Sequence, residues 1–267
     1  MAGKDSRKTY IITGGCGFVG ANLAAELVRR EPTAYIHVVD SFRSGSCSNL
    51  VDSFARRGLG GFGGWVTAES ICDVNLAALV DVAQPAAVFH MGAITDTTVY
   101  DEREMLRENA EPFPELLDAC IESRTPLVYA SSAAVYGAPA AADERRPFRE
   151  DEAGRPINVY GFSKWLMEAE HRRAAEERGA DRVVGLRFFN VFGPGEGAKG
   201  KMASVARQLA AQMLAGKRPR IFTAGEQARD QVPIDDVVDC CIASAKPTAR
   251  GGIYNLGSGS ATTFNDL

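Results

Sequence analysis

The segment Thr13-Gly14-Gly15-Cys16-Gly17-Phe18-Val19-Gly20 constrains this chain more than any other. Glycines at 14, 17 and 20 lie between an apolar run, Tyr10-Ile11-Ile12, and a helical pattern over 21–30 with Leu23, Leu27 and Val28 on one face. A strand that turns through glycines straight into a helix aims free N–H groups and the positive end of a dipole at one point. Glycine also lets an anion approach the backbone closely. Twenty residues past Gly20, Asp40 closes a second apolar run, Tyr35 to Val39. A carboxylate there accepts hydrogen bonds from an adenosine ribose. Strand, glycines, helix, strand and acid in that order predict a dinucleotide-binding unit.

The alternation continues downstream. Trp65-Val66 and segments 86–90, 127–130 and 183–188 read as strands, and 75–83, 102–123, 160–178 and 203–214 as helices. Pro112 and Pro114 either kink the 102–123 helix or mark its true start. The expected fold is α/β, a doubly wound parallel sheet of Rossmann type. From Gly193 onward the pattern changes to loops, one helix, short strands and turns. Residues 1–190 are read as the dinucleotide-binding domain and 191–267 as a smaller substrate-binding lobe, interleaved with the end of the sheet. The chain has 267 residues, 45% of them hydrophobic, enough for such a core. A net charge of -4 argues against general nucleic-acid binding. Six cysteines without C-x-x-C spacing, and three histidines, give no zinc pattern. The first residues are polar, without the pattern of a signal peptide, and no run has the length of a membrane span. A reduced cytoplasmic enzyme is expected, a homo-oligomer with no metal, nucleic acid or membrane partner.

Candidate chemistry lies in Asn158-Val159-Tyr160-Gly161-Phe162-Ser163-Lys164. Tyr160 and Lys164 are four residues apart, on one face if the segment opens a helix. A cation beside a phenol favours the phenolate, which suits Tyr160 to proton exchange with a hydroxyl or carbonyl. Lys164 is also placed to donate to a nicotinamide ribose. Ser131-Ser132 follow the fifth strand, and sheets of this kind place ligands outside the carboxyl ends of their strands. Ser132 is the candidate substrate contact, with Ser131 beside it. Asp73, after the third strand, is either a contact to the adenine edge or a cap for the helix from Asn75. Asp40 favours NAD, while Arg43 nearby suits the 2′-phosphate of NADP; the choice stays open.

These motifs together resemble the extended short-chain dehydrogenase/reductase family over nearly the whole chain. Dehydratases of that family usually carry Thr-Asp-Glu after the fifth strand, where this chain has Ser131-Ser132-Ala133, which fits an epimerase or simple dehydrogenase better. Longer segments are similar to the family's epimerases of ADP-linked glycero-manno-heptose: Phe188 to Pro194, Glu196 to Val205, Met91-Gly92-Ala93 with Thr97-Thr98, Tyr129 to Ala134, and Asn158 to Lys164. The resemblance implies an NADP-dependent inversion at C6 of ADP-heptose, a nucleotide sugar of lipopolysaccharide core synthesis. It makes Lys199 a second acid/base group opposite Tyr160. It further implies cofactor contacts from Phe18, Val19, Asp40, Ser41, Met91, Gly92, Ala93, Ile94, Thr95, Asn109 and Lys164. Substrate contacts are implied for Ser132, Asn190, Val191, Lys199, Lys201, Gln208, Phe222 to Gly225 and Arg229, whose guanidinium suits a diphosphate. The chain departs from the family at Cys47, near a lysine that helps select NADP, and at Lys201 and Gln208. Thr262 to Leu267 reads as a helix start with a threonine cap. Members continue for several more elements, so the lobe is expected to be truncated. Two other readings are a UDP-hexose 4-epimerase, which needs only the tyrosine, and a non-catalytic NAD(P)-binding protein.

Overall fold

A computed structural model describes residues 7–99, 101–138, 146–221 and 223–267. Its first half runs β1 (Thr9–Thr13), α1 (Phe18–Arg30), β2 (Tyr35–Val39), α2 (Cys47–Arg56), β3 (Trp65–Thr67), α3 (Leu76–Ala83), β4 (Ala87–His90), α4 (Glu102–Asn109), α5 (Phe113–Glu122) and β5 (Leu127–Ser132). The second half runs α6 (Val159–Arg178), β6 (Val183–Phe188), β7 (Asn190–Phe192), α7 (Val205–Leu214), β8 (Ala228–Pro233), α8 (Ile234–Ser244), β9 (Gly252–Leu256) and β10 (Ala261–Thr263). The described residues form a parallel seven-stranded sheet in the order β3-β2-β1-β4-β5-β6-β9.

Strand alternation divides the core. Tyr10 and Ile12 point to the face covered by α1, α2 and α8, with Val38, Phe89, Val128 and Leu186. Ile11 points to the other face, with Val39, Val88, Leu127 and Tyr129, under α3, α5 and α6. Both faces are covered, so the inner strands read as nearly continuous apolar runs. The strand order reverses between β1 and β4. The crevice outside their carboxyl ends is where a doubly wound sheet holds its ligand.

Several elements differ from the expectation. The 102–123 helix is two helices. Asp101 caps α4 by accepting from the Glu104 N–H at 3.0 Å. α5 starts at Phe113, with Pro114 in its first turn, where a missing N–H costs nothing. α2 carries only Leu50 and Phe54 as buried apolar side chains, too faint a stripe to read as a helix. α8 replaces the expected short strands and turns, and it buries Ile234, Val237, Val238 and Cys241. β9 pairs with β6, whereas β10, β8 and β7 form a separate three-stranded sheet. Thr262 lies in β10 opposite Arg229, not at a helix start. Thr263 instead holds a turn, its hydroxyl accepting from the Asp266 N–H at 3.0 Å.

Candidate active site

The glycine turn is built by close backbone contacts. Gly14 has φ +67°, and a Cβ there would lie 2.6 Å from the backbone of Gly92. A Cβ on Gly20 would lie 2.3 Å from the Gly14 carbonyl oxygen. Only glycine lets the turn lie against both α1 and the strand beside it. Asp40 is buried and fastens the turn: one carboxylate oxygen accepts from the Cys16 N–H at 2.8 Å and the other from the Phe42 N–H at 2.8 Å. The Thr13 hydroxyl accepts from the Gly92 N–H at 3.1 Å.

A cleft opens over this turn. Gly14, Gly17, Phe18, Val19 and Gly20 form one wall; Asp40, Ser41 and Arg43 form the end after β2. Met91, Gly92, Ala93, Ile94 and Thr95 line it from the β4 side, and Lys199 also borders it. A cradle that a Cβ would fill, at the start of a helix and the switch point of the sheet, fits a dinucleotide.

Two expected cofactor contacts do not line the cleft. Asp73 lies outside this cleft, exposed and 3.8 Å from Arg107, and the cap of α3 is Asn75 rather than Asp73. Asn109 is fully buried and spends its amide on structure. Its oxygen accepts from the Ile94 N–H at 2.7 Å, and its nitrogen donates to the Ile94 carbonyl at 3.0 Å and to Ser163 Oγ at 3.1 Å. It holds the cleft-lining loop onto α6 and does not itself line the cleft.

The first turn of α6 carries Tyr160. The Asn158 side chain caps the helix, accepting from the Gly161 N–H at 2.8 Å. A Cβ on Gly161 would lie 2.6 Å from the Ala134 carbonyl, so glycine lets the helix pack on the turn that follows β5. That packing brings Tyr160 near Ser132, whose hydroxyl favours the phenolate. Burial raises the Tyr160 pKa, and the Ser132 hydrogen bond pulls it down. The lowering expected from Lys164 is therefore corrected: burial dominates, and the serine opposes it. Lys164 is 2% exposed, and its amine reaches Met167 Sδ at 3.7 Å, a weak acceptor. Burial takes its pKa down to about 8. Tyr160, Ser132 and Lys164 form this group beside the cleft rather than in its lining.

Behind the group lies a buried network that sequence reading missed. Glu168 accepts from Ser131 Oγ at 2.6 Å and takes Arg187 in a two-pronged grip, from Nε and Nη2 at 2.8 Å each. Arg187 Nη1 donates to Tyr136 Oη at 2.7 Å, which donates to Asn255 Oδ1 at 2.6 Å. The available signal was Arg187 itself, a charge inside an apolar central strand, where burial demands a partner.

Lys199 is half-buried at the cleft, with its amine 5.8 Å from the centre of the Phe18 ring. Burial lowers its pKa, while the nearby Glu196 carboxylate raises it. The other expected substrate contacts do not line the cleft. Asn190 donates to the Asp230 carbonyl at 3.1 Å, and Val191 packs on the core. Lys201 is exposed, and Gln208 donates to the carbonyls of Lys201 at 3.1 Å and Ala203 at 2.8 Å. Arg229 is exposed and donates to the Ala228 carbonyl; Asp230 accepts instead from Ser258 and Gly259. Phe222 lies outside the described residues.

A doubly wound sheet with this glycine cradle defines a Rossmann-type dinucleotide-binding protein. The model of the NAD dependent epimerase/dehydratase family matches residues 10–257, and the chain belongs to that family. The cofactor is accordingly a nicotinamide dinucleotide. The chain is similar to the ADP-L-glycero-D-manno-heptose-6-epimerase of Alkalilimnicola ehrlichii, at 38% identity over 267 residues, covering 96% of this chain and 78% of the relative. Among solved structures it resembles the ADP-L-glycero-D-manno-heptose-6-epimerase of Helicobacter pylori, with a TM-score of 0.84 and 33% identity, over 100% of this chain and 82% of the other. The UDP-glucose 4-epimerase of Thermotoga maritima, solved with UDP-glucose, has a TM-score of 0.82 and 28% identity over 97% and 80% of the two chains. The resemblance read from the sequence is borne out by these matches. No helix among the described residues is long and apolar enough to cross a membrane.

Proposed function

We propose that this chain is a nucleotide-sugar epimerase that inverts C6 of an ADP-linked glycero-manno-heptose, with Tyr160 and Lys199 as its two proton-transfer groups. The observation that carries the reading is Lys199, a half-buried amine in the wall of the dinucleotide cleft, held over Phe18. A nicotinamide held over the Gly14, Gly17 and Gly20 cradle would supply the hydride chemistry at C6, so that the inversion would pass through a ketone. Inversion requires the return to the opposite face, so the ketone turns in the site and acid/base groups on two sides are useful. Tyr160 exchanges the proton of the C6 oxygen, supported by the Ser132 hydroxyl. Lys164 keeps its charge at neutral pH and donates to the nicotinamide ribose. The relatives named as heptose epimerases support the choice of sugar. Residues 191–267, apart from α8 and β9, are assigned to the substrate side.

NADP is the proposed form of the cofactor. Both Asp40 oxygens already hold backbone N–H groups, while Ser41 and Arg43 line the same end of the cleft. Identification of the nucleotide released from the denatured protein is expected to give NADP, and NAD would overturn this. Lys199→Ala should lower turnover of ADP-D-glycero-D-manno-heptose by about 10²–10⁴-fold with the bound cofactor retained. Unchanged turnover would rule out the two-base assignment and fit an epimerase that works through the tyrosine alone.

A further inference from the structure

We infer that Glu196 is a positioning residue, which fixes Lys199 against the dinucleotide cleft by closing the 193–204 loop with its carboxylate. The inference rests on the acid/base reading of Lys199. Glu196 is 5% exposed, an unusual place for a carboxylate unless it is fully partnered. One of its oxygens accepts from the Gly193 N–H at 3.1 Å and the other from the Ser204 N–H at 2.7 Å. These amides stand at the two ends of the loop, so one side chain fastens both. Between them Gly195 has φ +99° and Gly200 φ +54°, conformations in which the backbone reverses direction around Lys199. A second tie comes from α1, where Asn22 Nδ2 donates to the Pro194 carbonyl at 3.0 Å.

The electrostatics point the same way. α1 presents Phe18 and Asn22 to this loop, neither of them charged. α2 brings Arg56 to Gly195, and α7 brings Arg207 to Gly197. The cleft wall adds Asp40, Arg43 and Glu108. Among these charges Glu196 is the one that acts on Lys199, favouring its ammonium form against the desolvation that lowers its pKa. Glu196 therefore sets both the place and the proton affinity of the amine. A loop anchor with a merely structural role would leave the proton affinity alone.

The test compares Glu196→Gln and Glu196→Asp with the wild type in the holoenzyme. The proton affinity of Lys199 is read by acetic anhydride labelling across a pH series, with the Lys199 peptide quantified by mass spectrometry. Glu196→Gln removes the charge at nearly constant shape and should move the Lys199 titration to lower pH. The pH profile of heptose epimerisation should show one limb moved the same way. Glu196→Asp keeps the charge but is too short to reach both amides. It should hold the Lys199 titration close to wild type while lowering epimerisation about tenfold. An unmoved Lys199 titration in Glu196→Gln, or full epimerisation in Glu196→Asp, would overturn the inference. If Lys199→Ala keeps full turnover, the acid/base reading of Lys199 falls; the labelling experiment still scores the action of Glu196 on the amine separately.

Discussion

Replacing Lys164 with methionine should stabilise the cofactor-free protein while ending its catalysis. The ammonium is 2% exposed, and its partner is a thioether sulfur at 3.7 Å. Burial moves its pKa from 10.5 to about 8. At about 1.4 kcal/mol per pKa unit, holding the charge in place costs the folded state about 3 kcal/mol at neutral pH. The sign follows from proton counting. Between pH 8 and 10.5 the folded state has released the proton and the unfolded chain still holds it, so wild-type stability rises with pH across that window. Above the window the cost is gone; below pH 8 it is present in full. Methionine has similar length, no charge, and a neighbour of its own kind in Met167. Thermal melts of wild type and Lys164→Met, both stripped of cofactor, should differ by roughly 6–12 °C at pH 7 in favour of the variant. The difference should shrink steadily toward pH 10. A constant difference, or a wild type that is the more stable at pH 7, would refute the assignment of the shift to burial.

Three further perturbations test the cradle and the core. Gly20→Ala places a Cβ 2.3 Å from the Gly14 carbonyl, so the turn must open, and the purified protein should carry little bound nucleotide by absorbance. Asp40→Asn leaves one of the two backbone amides facing an NH₂ group, which should weaken cofactor retention about tenfold in dialysis while the fold survives. Glu168→Gln leaves the Arg187 guanidinium buried and without its counter-charge, a loss of about 3–5 kcal/mol readable in urea denaturation.

What the sequence made legible follows the kind of signal each element carries. β1, the glycine turn and α1 stand in the sequence because strand period, glycine spacing and helix period change within about twenty residues. β10 and the true start of α5 were harder, because turn chemistry near Thr263 and Pro112 serves either a cap or a break. α8 was legible and overlooked: Ile234, Val237, Val238 and Cys241 repeat at helical spacing. At the site, Tyr160 and Lys164 stand out by spacing, and Ser132 by its place after a strand. Asn109 illustrates the opposite case. Polar and next to the cleft, it has its amide committed to Ile94 and Ser163, a fact that only side-chain geometry reveals. Lys199 carries no local signal, since its burial comes from a loop closed by Glu196 and laid over Phe18.

α6 shows why such a site escapes hydrophobic patterning. Its buried side includes Ser163, Lys164, Glu168 and His171, with Met167 and Ala174 the apolar members. A helix that buries polar side chains must find each of them a partner, or the fold bears the desolvation cost. Glu168 has Ser131 and Arg187, His171 has Tyr129 at 3.1 Å, and Ser163 has Asn109 and the Tyr160 carbonyl. Lys164 alone in that row meets only a sulfur. Its neighbours on the same face are bonded to β5, β6 and α4, so the helix is held in one rotation about its axis. In that rotation Lys164, four residues beyond Tyr160, is held in the core with its charge against the preference of the medium. The cost is local, about 3 kcal/mol from the lowering of its pKa by burial. It sits at the residue proposed to hold the nicotinamide ribose, where an ammonium already desolvated would bind a ribose oxygen without first giving up water.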